Sequence, residues 1–274
     1  MTASVYNRPN SLPDFSSPPL TEVVFGVQFA PPLGYQQIYA GDVWRLFKKD
    51  YPQHQEQAPL PPSFETFGLS AQLSTAEFNF VSGATHDRFW FLDSNGNELI
   101  QFQHDRLLHN WRKLGNLSSE YPRFKNMAAK FEKELDQFET FINDLSPQRL
   151  NINQCEISFI NQIEVDDYTG LEATNWLKFL RFDTKSPNDF SLTFRETIHD
   201  AQGNAQGRLF IEAGSALDSN RKKVIRLNLT VKGAPEKTDI KSALSFLSTG
   251  HDLIVNRFAE ITTDSAHRKW GRVK

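Results

Sequence analysis

Residues 22–29 read Glu-Val-Val-Phe-Gly-Val-Gln-Phe, and this stretch decides the predicted fold. Apolar side chains stand at every second position from Val23 to Phe29, a pattern typical of a strand with one buried face. The same alternation returns in the second half of the chain, around Ile157 and Phe159. Each half of the chain is therefore predicted to begin with a half-buried strand.

Helices are predicted from apolar residues that recur at spacings of three and four. Two long helices fit this pattern, one over residues 122–145 and one over residues 238–260. Pro122 suits the first turn of the former, where a missing N–H is tolerated. Shorter helices are predicted over residues 37–51 and 172–180.

A β-hairpin is predicted in the first half, because Asn95-Gly96 separates two runs of alternating apolar residues. Pairing Phe91 with Ile100 brings the apolar side chains of that hairpin together. In the second half, the register that keeps apolar residues on one face places Ile211 beside Phe194 and Leu229. The strands of the second half are predicted at residues 189–199, 206–214 and 223–232.

These elements predict an α+β fold with antiparallel sheets covered on one face by long helices. Both halves share the order strand, helix, strands, long helix, which indicates a pseudo-repeat. The predicted division is a flexible N-terminal arm at residues 1–19, a first half at residues 20–147 and a second half at residues 148–274. The Pro-rich residues 53–63 are predicted to form a loop.

Composition narrows the classes of protein. The formal charge of -3 over 274 residues gives no basic excess that would steer the whole chain to nucleic acid or to anionic membranes. Cys155 is the only cysteine, so neither an internal disulfide nor a cysteine zinc site is expected. No stretch resembles a signal peptide or a membrane-spanning helix, which favours the cytoplasm. No cofactor and no metal are expected.

Motifs for phosphate loops, dinucleotide binding, serine hydrolases and zinc proteases are absent from the sequence. Four histidines, His86, His104, His199 and His251, each precede an aspartate. Imidazole and carboxylate can share a metal ion, but the first three pairs fall where turns are predicted, and turns favour aspartate for its own hydrogen bonds. His251 lies on the apolar stripe of the last helix, where either a core histidine or a proton-transfer or ligand contact fits.

A polar face on the second sheet is the strongest candidate for a binding site. Several cations on one sheet surface can hold a phosphate or carboxylate, and a phenylalanine among them can stack on a ligand. The alternative is a solvated face, since a sheet covered on one side exposes the other. The candidate residues on this face are Arg195, Arg208, Phe210, Glu212, Arg226 and Asn228.

Three clusters place an aromatic residue beside arginine. Such clusters can anchor a partner, because both side chains bury a large surface. They can equally pack a strand end or a terminus onto the core while the arginine reaches solvent. The clusters comprise Asn110, Trp111 and Arg112; Tyr121, Pro122 and Arg123; and Trp270, Gly271 and Arg272.

The order of these motifs resembles that of a sporadically distributed family of bacterial proteins of unknown function. The resemblance implies a bacterial source and a single full-length module, and it brings no known reaction, cofactor or substrate. The patchy distribution suggests mobile genes, such as those of phage defence or toxin–antitoxin pairs. The matching stretches are residues 18–29, 99–103, 110–112, 121–123, 156–163, 261–263 and 270–272.

Three functions remain open from the sequence. The first is a non-catalytic interaction module that binds another protein or an acidic small ligand. The second is a nucleic-acid-associated factor in defence, based on the basic residues 221–223 and on the basic C-terminal residues 268–274. The third is an enzyme with a scattered site that uses His251 with Glu156 or Glu212. The oligomeric state stays open.

Overall fold

The computed structural model describes residues 8–65, 67, 87–114, 120–165, 173–182, 187–218 and 220–274. Within this part of the chain, nine strands form one sheet. The strands are β1 (Leu20–Phe29), β2 (Gln53–Gln57), β3 (Arg88–Leu92), β4 (Glu98–Gln103), β5 (Arg106–Arg112), β6 (Ile152–Glu164), β7 (Ser191–His199), β8 (Ala205–Leu217) and β9 (Lys223–Gly233). The α-helices are α1 (Ala40–Phe47), α2 (Phe124–Leu145), α3 (Ile240–Ile261) and α4 (Asp264–Lys269).

The strands follow the order β2-β3-β4-β5-β1-β6-β9-β8-β7, and every neighbouring pair is antiparallel. The predicted fold with an antiparallel sheet in each half is therefore wrong: the sequence left open whether the halves share one sheet, and the structure joins their strands in one. The two halves join where β1 pairs with β6, which places Val23 opposite Phe159 and Phe25 opposite Ile157. Each half alone would leave one of these apolar strands as an open edge, and their pairing removes both edges.

The helices lie on one face of the sheet but do not cover all of it, so the prediction of sheets covered by long helices is also wrong. Helix α2 packs Phe124 and Phe131 on Phe25 of β1, with ring centroids 5.3 and 6.0 Å apart. Helix α3 contacts β6 and β9. The edge strands β2 and β7 keep mostly exposed side chains. The helices thus protect the centre of the sheet and leave its edge strands largely exposed.

The predicted registers within the hairpins are confirmed. Phe91 pairs with Ile100, and Ile211 lies between Phe194 and Leu229. The loop predicted over residues 53–63 is wrong for its first part, because Gln53–Gln57 forms the edge strand β2. An exposed edge strand carries polar side chains at most positions, so it shows no apolar alternation.

Helix α3 approaches the sheet closely at Gly250. A Cβ atom at this position would lie 2.7 Å from Cγ2 of Ile157 and 3.1 Å from Cγ1 of Val231. Glycine is unfavourable inside a helix, so its presence here reflects the need for close contact between backbone and sheet. Gly41 in α1 is the opposite case, since nothing lies within 4 Å of a Cβ added there.

The N-terminal segment is partly docked on the body of the protein. Leu12 and Phe15 are buried, and Phe15 forms a β-bridge with Arg272. The Phe15 ring meets the Phe258 ring edge to face at 5.5 Å. Among the helices of the described residues, none is long and apolar enough to cross a membrane.

We expect Gly250→Ala and Gly41→Ala to change stability in opposite directions. Gly250→Ala forces a methyl group against Ile157 and should lower the free energy of unfolding by about 1–3 kcal/mol. Gly41→Ala gains helix propensity in open space and should raise it by up to about 1 kcal/mol. Urea denaturation followed by circular dichroism measures both, and a loss of equal size in the two variants would contradict the close contact.

Candidate functional site

The face of the sheet opposite the helices carries the predicted polar residues, and we call it the polar sheet face. Arg195 pairs with Phe210, and Arg208 lies between Thr197 and Lys232, as predicted. Glu212 pairs with Asn228, which also agrees with the predicted register. The sheet alternation thus brings the candidate side chains of three strands to one surface.

Residues 58–65 cross the polar sheet face, and we call them the covering segment. The side chain of Gln103 forms two hydrogen bonds with the backbone of Leu60: Leu60 N donates to Oε1 at 2.8 Å, and Nε2 donates to Leu60 O at 2.9 Å. Arg106 Nη2 donates to Pro61 O at 2.9 Å. Both sheet side chains therefore hold the segment by its backbone.

Two further side chains of the sheet bind the backbone of the covering segment. Ser63 N donates to Gln28 Oε1 at 3.1 Å, and Arg88 Nε donates to Ala58 O at 3.2 Å. Prolines in the segment lack an N–H, so their carbonyl groups are the atoms left to bind. The polar sheet face is therefore not simply solvated in its first half, because side-chain amides and guanidinium groups there bind an extended, Pro-rich backbone.

A cavity of about 470 Å³ opens beside the covering segment, and we call it the Arg195 cleft. It lies between Ser63 and strands β6–β9. Its volume falls in the usual range of small-molecule and peptide-side-chain sites. The lining residues are Ser63, Phe64, Glu65, Glu156, Thr193, Arg195, Arg208, Phe210, Glu212, Thr230 and Lys232.

Both signs of charge are present in the cleft. Lys232 Nζ lies 3.0 Å from Glu156 Oε2, and Arg208 Nε lies 3.9 Å from Glu65 Oε2. Burial raises the pKa of Glu65, although the neighbouring cations act in the opposite direction. Desolvation thus outweighs attraction at this carboxyl group, as expected where the covering segment limits access of water.

Arg195 and Glu212 are the exposed charges of the cleft. The Arg195 guanidinium lies 5.5 Å from the centre of the Phe210 ring, within the range of a cation–π contact. Glu212 lies two residues after Phe210 on β8, so its side chain is on the same face of the sheet. A ligand in the cleft would therefore meet a cation, an anion and an aromatic surface.

A second cavity of about 470 Å³ continues beneath the covering segment, and both cavities share Ser63, Glu156 and Lys232. We call it the inner cavity. Its walls combine apolar side chains, such as Val24 and Leu108, with amides and guanidinium groups, including those of Arg88 and Gln154. The pKa of Arg88 is lowered by burial and by nearby Arg106.

A row of hydrogen bonds crosses the inner cavity from strand to strand. Arg88 Nη1 donates to Gln101 Oε1 at 2.9 Å, Gln101 Nε2 donates to Asn110 Oδ1 at 2.9 Å, and Asn110 Nδ2 donates to Glu22 Oε1 at 2.6 Å. Gln154 Nε2 is buried there and has no hydrogen-bond partner within the described ranges. The row fixes each amide in one orientation, so the polar wall is preorganised.

The remaining candidates do not join the cleft. Arg226 and Asn228 lie further along β9 on the same face, outside the cleft lining. His251 lies on α3, on the helix side, where its ring is 5.8 Å from the Phe159 ring. The sheet separates it from Glu156 and Glu212, so the predicted pairing of His251 with either glutamate is wrong.

The aromatic residues of the aromatic–arginine clusters pack against other aromatic side chains. Trp111 and Trp270 are buried, and Trp270 lies 5.3 Å from the Phe258 ring. The Arg112 guanidinium lies 5.5 Å from the Trp90 ring on the polar sheet face, where Asn110 also points. The other three anchors lie on the helix side: Tyr121 packs on Trp111, Arg123 pairs with Asp14, and Arg272 Nη1 lies 3.0 Å from His267 Nδ1.

Two of the His-Asp dipeptides, His104-Asp105 and His199-Asp200, lie at turns between strands, whereas His251-Asp252 lies within α3. Asp200 accepts hydrogen bonds from the backbone N–H groups of Gln202 and Asn204. Asp105 binds Arg106 at the turn between β4 and β5. His86 lies outside the described residues. In the part of the chain that the structure describes, no three His, Cys, Asp or Glu side chains are grouped to hold a metal.

A buried polar network joins residues that no motif of the sequence had grouped. Tyr51 Oη donates to Glu134 Oε1 at 2.7 Å, and His109 Nδ1 lies 2.9 Å from Glu134 Oε2. All three residues are buried, and desolvation raises the pKa of Tyr51, with Glu134 adding to the rise. The available signal was that His109 and Glu134 are ionisable residues on the apolar faces of β5 and α2. The network joins α2 to β5 and to Tyr51, which follows α1 in the chain.

Neither protein-family models nor curated protein sequences give a match for this chain. The resemblance to a sporadically distributed bacterial family therefore stays a prediction.

We expect Gln103→Ala to release the covering segment without unfolding the sheet. The change removes both hydrogen bonds to Leu60, each contributing about 1 kcal/mol. Hydrogen exchange at the amide of Leu60 should become at least about tenfold faster. Mass spectrometry of deuterium uptake measures this, with Gln55→Ala on the exposed strand β2 as the control. Unchanged uptake in residues 58–65 would show that Gln103 does not hold the segment.

We expect His251 to make stability fall at acidic pH. His251 is 5% exposed, and burial lowers its pKa below 6.5, partly offset by Asp252, whose Oδ1 lies 2.8 Å from Nδ1. The unfolded chain therefore binds the proton more readily, so stability is complete above about pH 6.5 and decreases as the pH falls below that value. His267, whose pKa is also lowered, contributes in the same direction.

The measurement for this prediction is the urea midpoint between pH 7.5 and pH 5. His251→Gln should give a shallower decline than the unmodified protein. His199→Gln, at the exposed end of β7, serves as the control and should leave the slope unchanged. An identical slope in His251→Gln would mean that another group carries the pH dependence.

Proposed function

We propose that the protein is a non-catalytic interaction module that binds an extended segment of a partner protein in the Arg195 cleft. The cytoplasm is the proposed compartment. The single observation that supports this proposal is the covering segment, because the polar sheet face already holds an extended backbone of this chain through side-chain hydrogen bonds.

The direction of the covering segment supports a peptide as the ligand. The segment runs over the inner cavity and reaches the Arg195 cleft at Ser63 and Glu65. A partner segment that lies in the cleft would continue along the same surface. Extended peptides present one N–H and one C=O per residue, so a site for them needs both donors and acceptors.

The cleft supplies both kinds of group. Arg195 and Lys232 can donate to carbonyl or carboxylate oxygens, and Glu212 can accept from amides or cations. The hydroxyl groups of Thr193 and Thr230 can do either. Because the charges are of mixed sign, the cleft favours a ligand that carries both signs over a purely anionic chain such as nucleic acid.

Site-specific photo-crosslinking tests this function. Benzoylphenylalanine replaces Thr193 in the cleft, and in a second protein it replaces the exposed Ile38 on the helix side as the matched control. After irradiation in cells, we expect one protein adduct from position 193 and none of that mass from position 38. Mass spectrometry identifies the adduct and the crosslinked peptide.

The crosslinked peptide is then synthesised and titrated against the purified chain by calorimetry. Arg195→Ala should weaken binding about tenfold, or about 1.4 kcal/mol. Arg45→Ala, a change of an exposed arginine on α1, should leave the affinity unchanged. The proposal fails if position 193 gives no protein adduct, if both positions give the same adduct, or if the adduct is removed by nuclease.

A further inference from the structure

A separate pocket lies on the helix side of the sheet, and we call it the helix-side pocket. Its volume is about 560 Å³, and it lies between β6, α3, the start of α2 and the N-terminal segment. This volume suits a small organic ligand. The apolar walls are formed by Phe15, Leu20, Phe124, Phe159, Ile254 and Phe258.

The floor of the pocket is aromatic and uncharged. The His251 ring lies 4.1 Å from the Phe124 ring and 5.8 Å from the Phe159 ring. Burial keeps the pKa of His251 low, so its imidazole is neutral at pH 7. An apolar or flat aromatic group would therefore meet no unpaired charge in the interior of the pocket.

The mouth of the pocket has an excess of positive charge. Arg8, Arg123 and Lys125 line it, and Asp14 is the one carboxylate among those lining residues that the structure describes. Asp14 Oδ1 is shared, at 3.2 Å from Arg8 Nη1 and 3.4 Å from Arg123 Nη1. Three cations therefore face one anion, and an incoming anionic group would find an arginine that is not fully neutralised.

The backbone at Arg123 gives an independent sign of function. Its φ of 72° and ψ of 148° are sparsely populated for a residue with a side chain. Residues held in such conformations occur preferentially at ligand-binding positions. Arg123 is the residue that precedes the first turn of α2, and its side chain reaches Asp14 at the pocket mouth.

We propose that the helix-side pocket binds an anionic small molecule with an apolar body, whose anionic group pairs with Arg123 and Arg8 at the mouth. The apolar body replaces water against the phenylalanine walls, which provides the affinity. The arginines select the charged end and fix the orientation. This site is on the opposite side of the sheet from the Arg195 cleft, so it stands whether or not the cleft binds a peptide.

Two fluorescent probes of similar shape test the site on the purified full-length chain. Anilinonaphthalene sulfonate carries a negative charge, and phenylnaphthylamine is its uncharged counterpart. We expect both probes to bind with one site per chain. Arg123→Gln should weaken binding of the sulfonate about tenfold and leave binding of the uncharged probe within twofold.

Two further variants separate the pocket from general surface binding. Val255→Trp fills the pocket from α3 and should abolish binding of both probes, and a circular dichroism melt checks that the variant is folded. Arg45→Gln removes an exposed arginine elsewhere and should change neither affinity. If Val255→Trp is unfolded, the selective loss in Arg123→Gln decides the question on its own.

Competition between the sulfonate probe and other anionic compounds then distinguishes which chemical class of anion the pocket binds. If dodecanoate displaces the sulfonate and dodecanol does not, the ligand is an acyl carboxylate. Displacement by dodecyl phosphate identifies a ligand with a phosphate head group. Displacement by naphthoate identifies an aromatic acid. The proposal is overturned if neither probe binds stoichiometrically, if Arg123→Gln weakens both probes equally, or if a folded Val255→Trp variant binds them as before.

Discussion

The pairing of β1 with β6 is the constraint on which the rest of the structure depends. It runs from Leu20 opposite Asn161 to Phe29 opposite Ile152 and joins two half-sheets into one. Because both strands then have neighbours on each side, their backbone groups find hydrogen-bond partners within the sheet, except at the register shifts next to Leu20 and Phe29. The apolar rows that cross this junction, such as Phe25 with Ile157, form the surface on which α2 and α3 pack.

The central pairing also determines what the opposite face must do. Side chains that alternate with the apolar ones, such as Gln28, Asn110 and Ser158, point away from the helices and are nevertheless buried. Burial of polar groups is costly unless they are hydrogen-bonded. The covering segment and the row of amide hydrogen bonds meet that requirement, because they provide partners for Gln28 and Asn110 within the protein.

The two candidate binding sites differ in physical character because they lie on opposite sides of the sheet. The Arg195 cleft is polar and balanced in charge, and it lies between the sheet and an extended segment. The helix-side pocket is apolar inside, where phenylalanine side chains line it, and cationic at its mouth, where Arg8, Arg123 and Lys125 lie. The buried network of Tyr51, His109 and Glu134 belongs to neither site and holds α2 on β5.

Local patterns of the sequence determined the elements and their pairing over short distances. The alternation from Val23 to Phe29 predicted β1, and apolar matching predicted Ile211 beside Phe194 and Leu229. These features follow from side-chain periodicity and from tight turns, which act between residues close in sequence. The grouping of Arg195, Arg208, Phe210 and Glu212 on one face followed from the same registers.

Only the tertiary structure decided how the halves meet and what covers the polar sheet face. The paired residues of β1 and β6 lie 123 to 141 positions apart, as Val24 and Ser158 do at 134, and no local pattern specifies such a partner. The polar strand Gln53–Gln57 and the covering segment carry no apolar period, because the former is an exposed edge and the latter is held by its backbone. Backbone recognition leaves no signature in the side chains of the recognised segment, so the sequence could not reveal it.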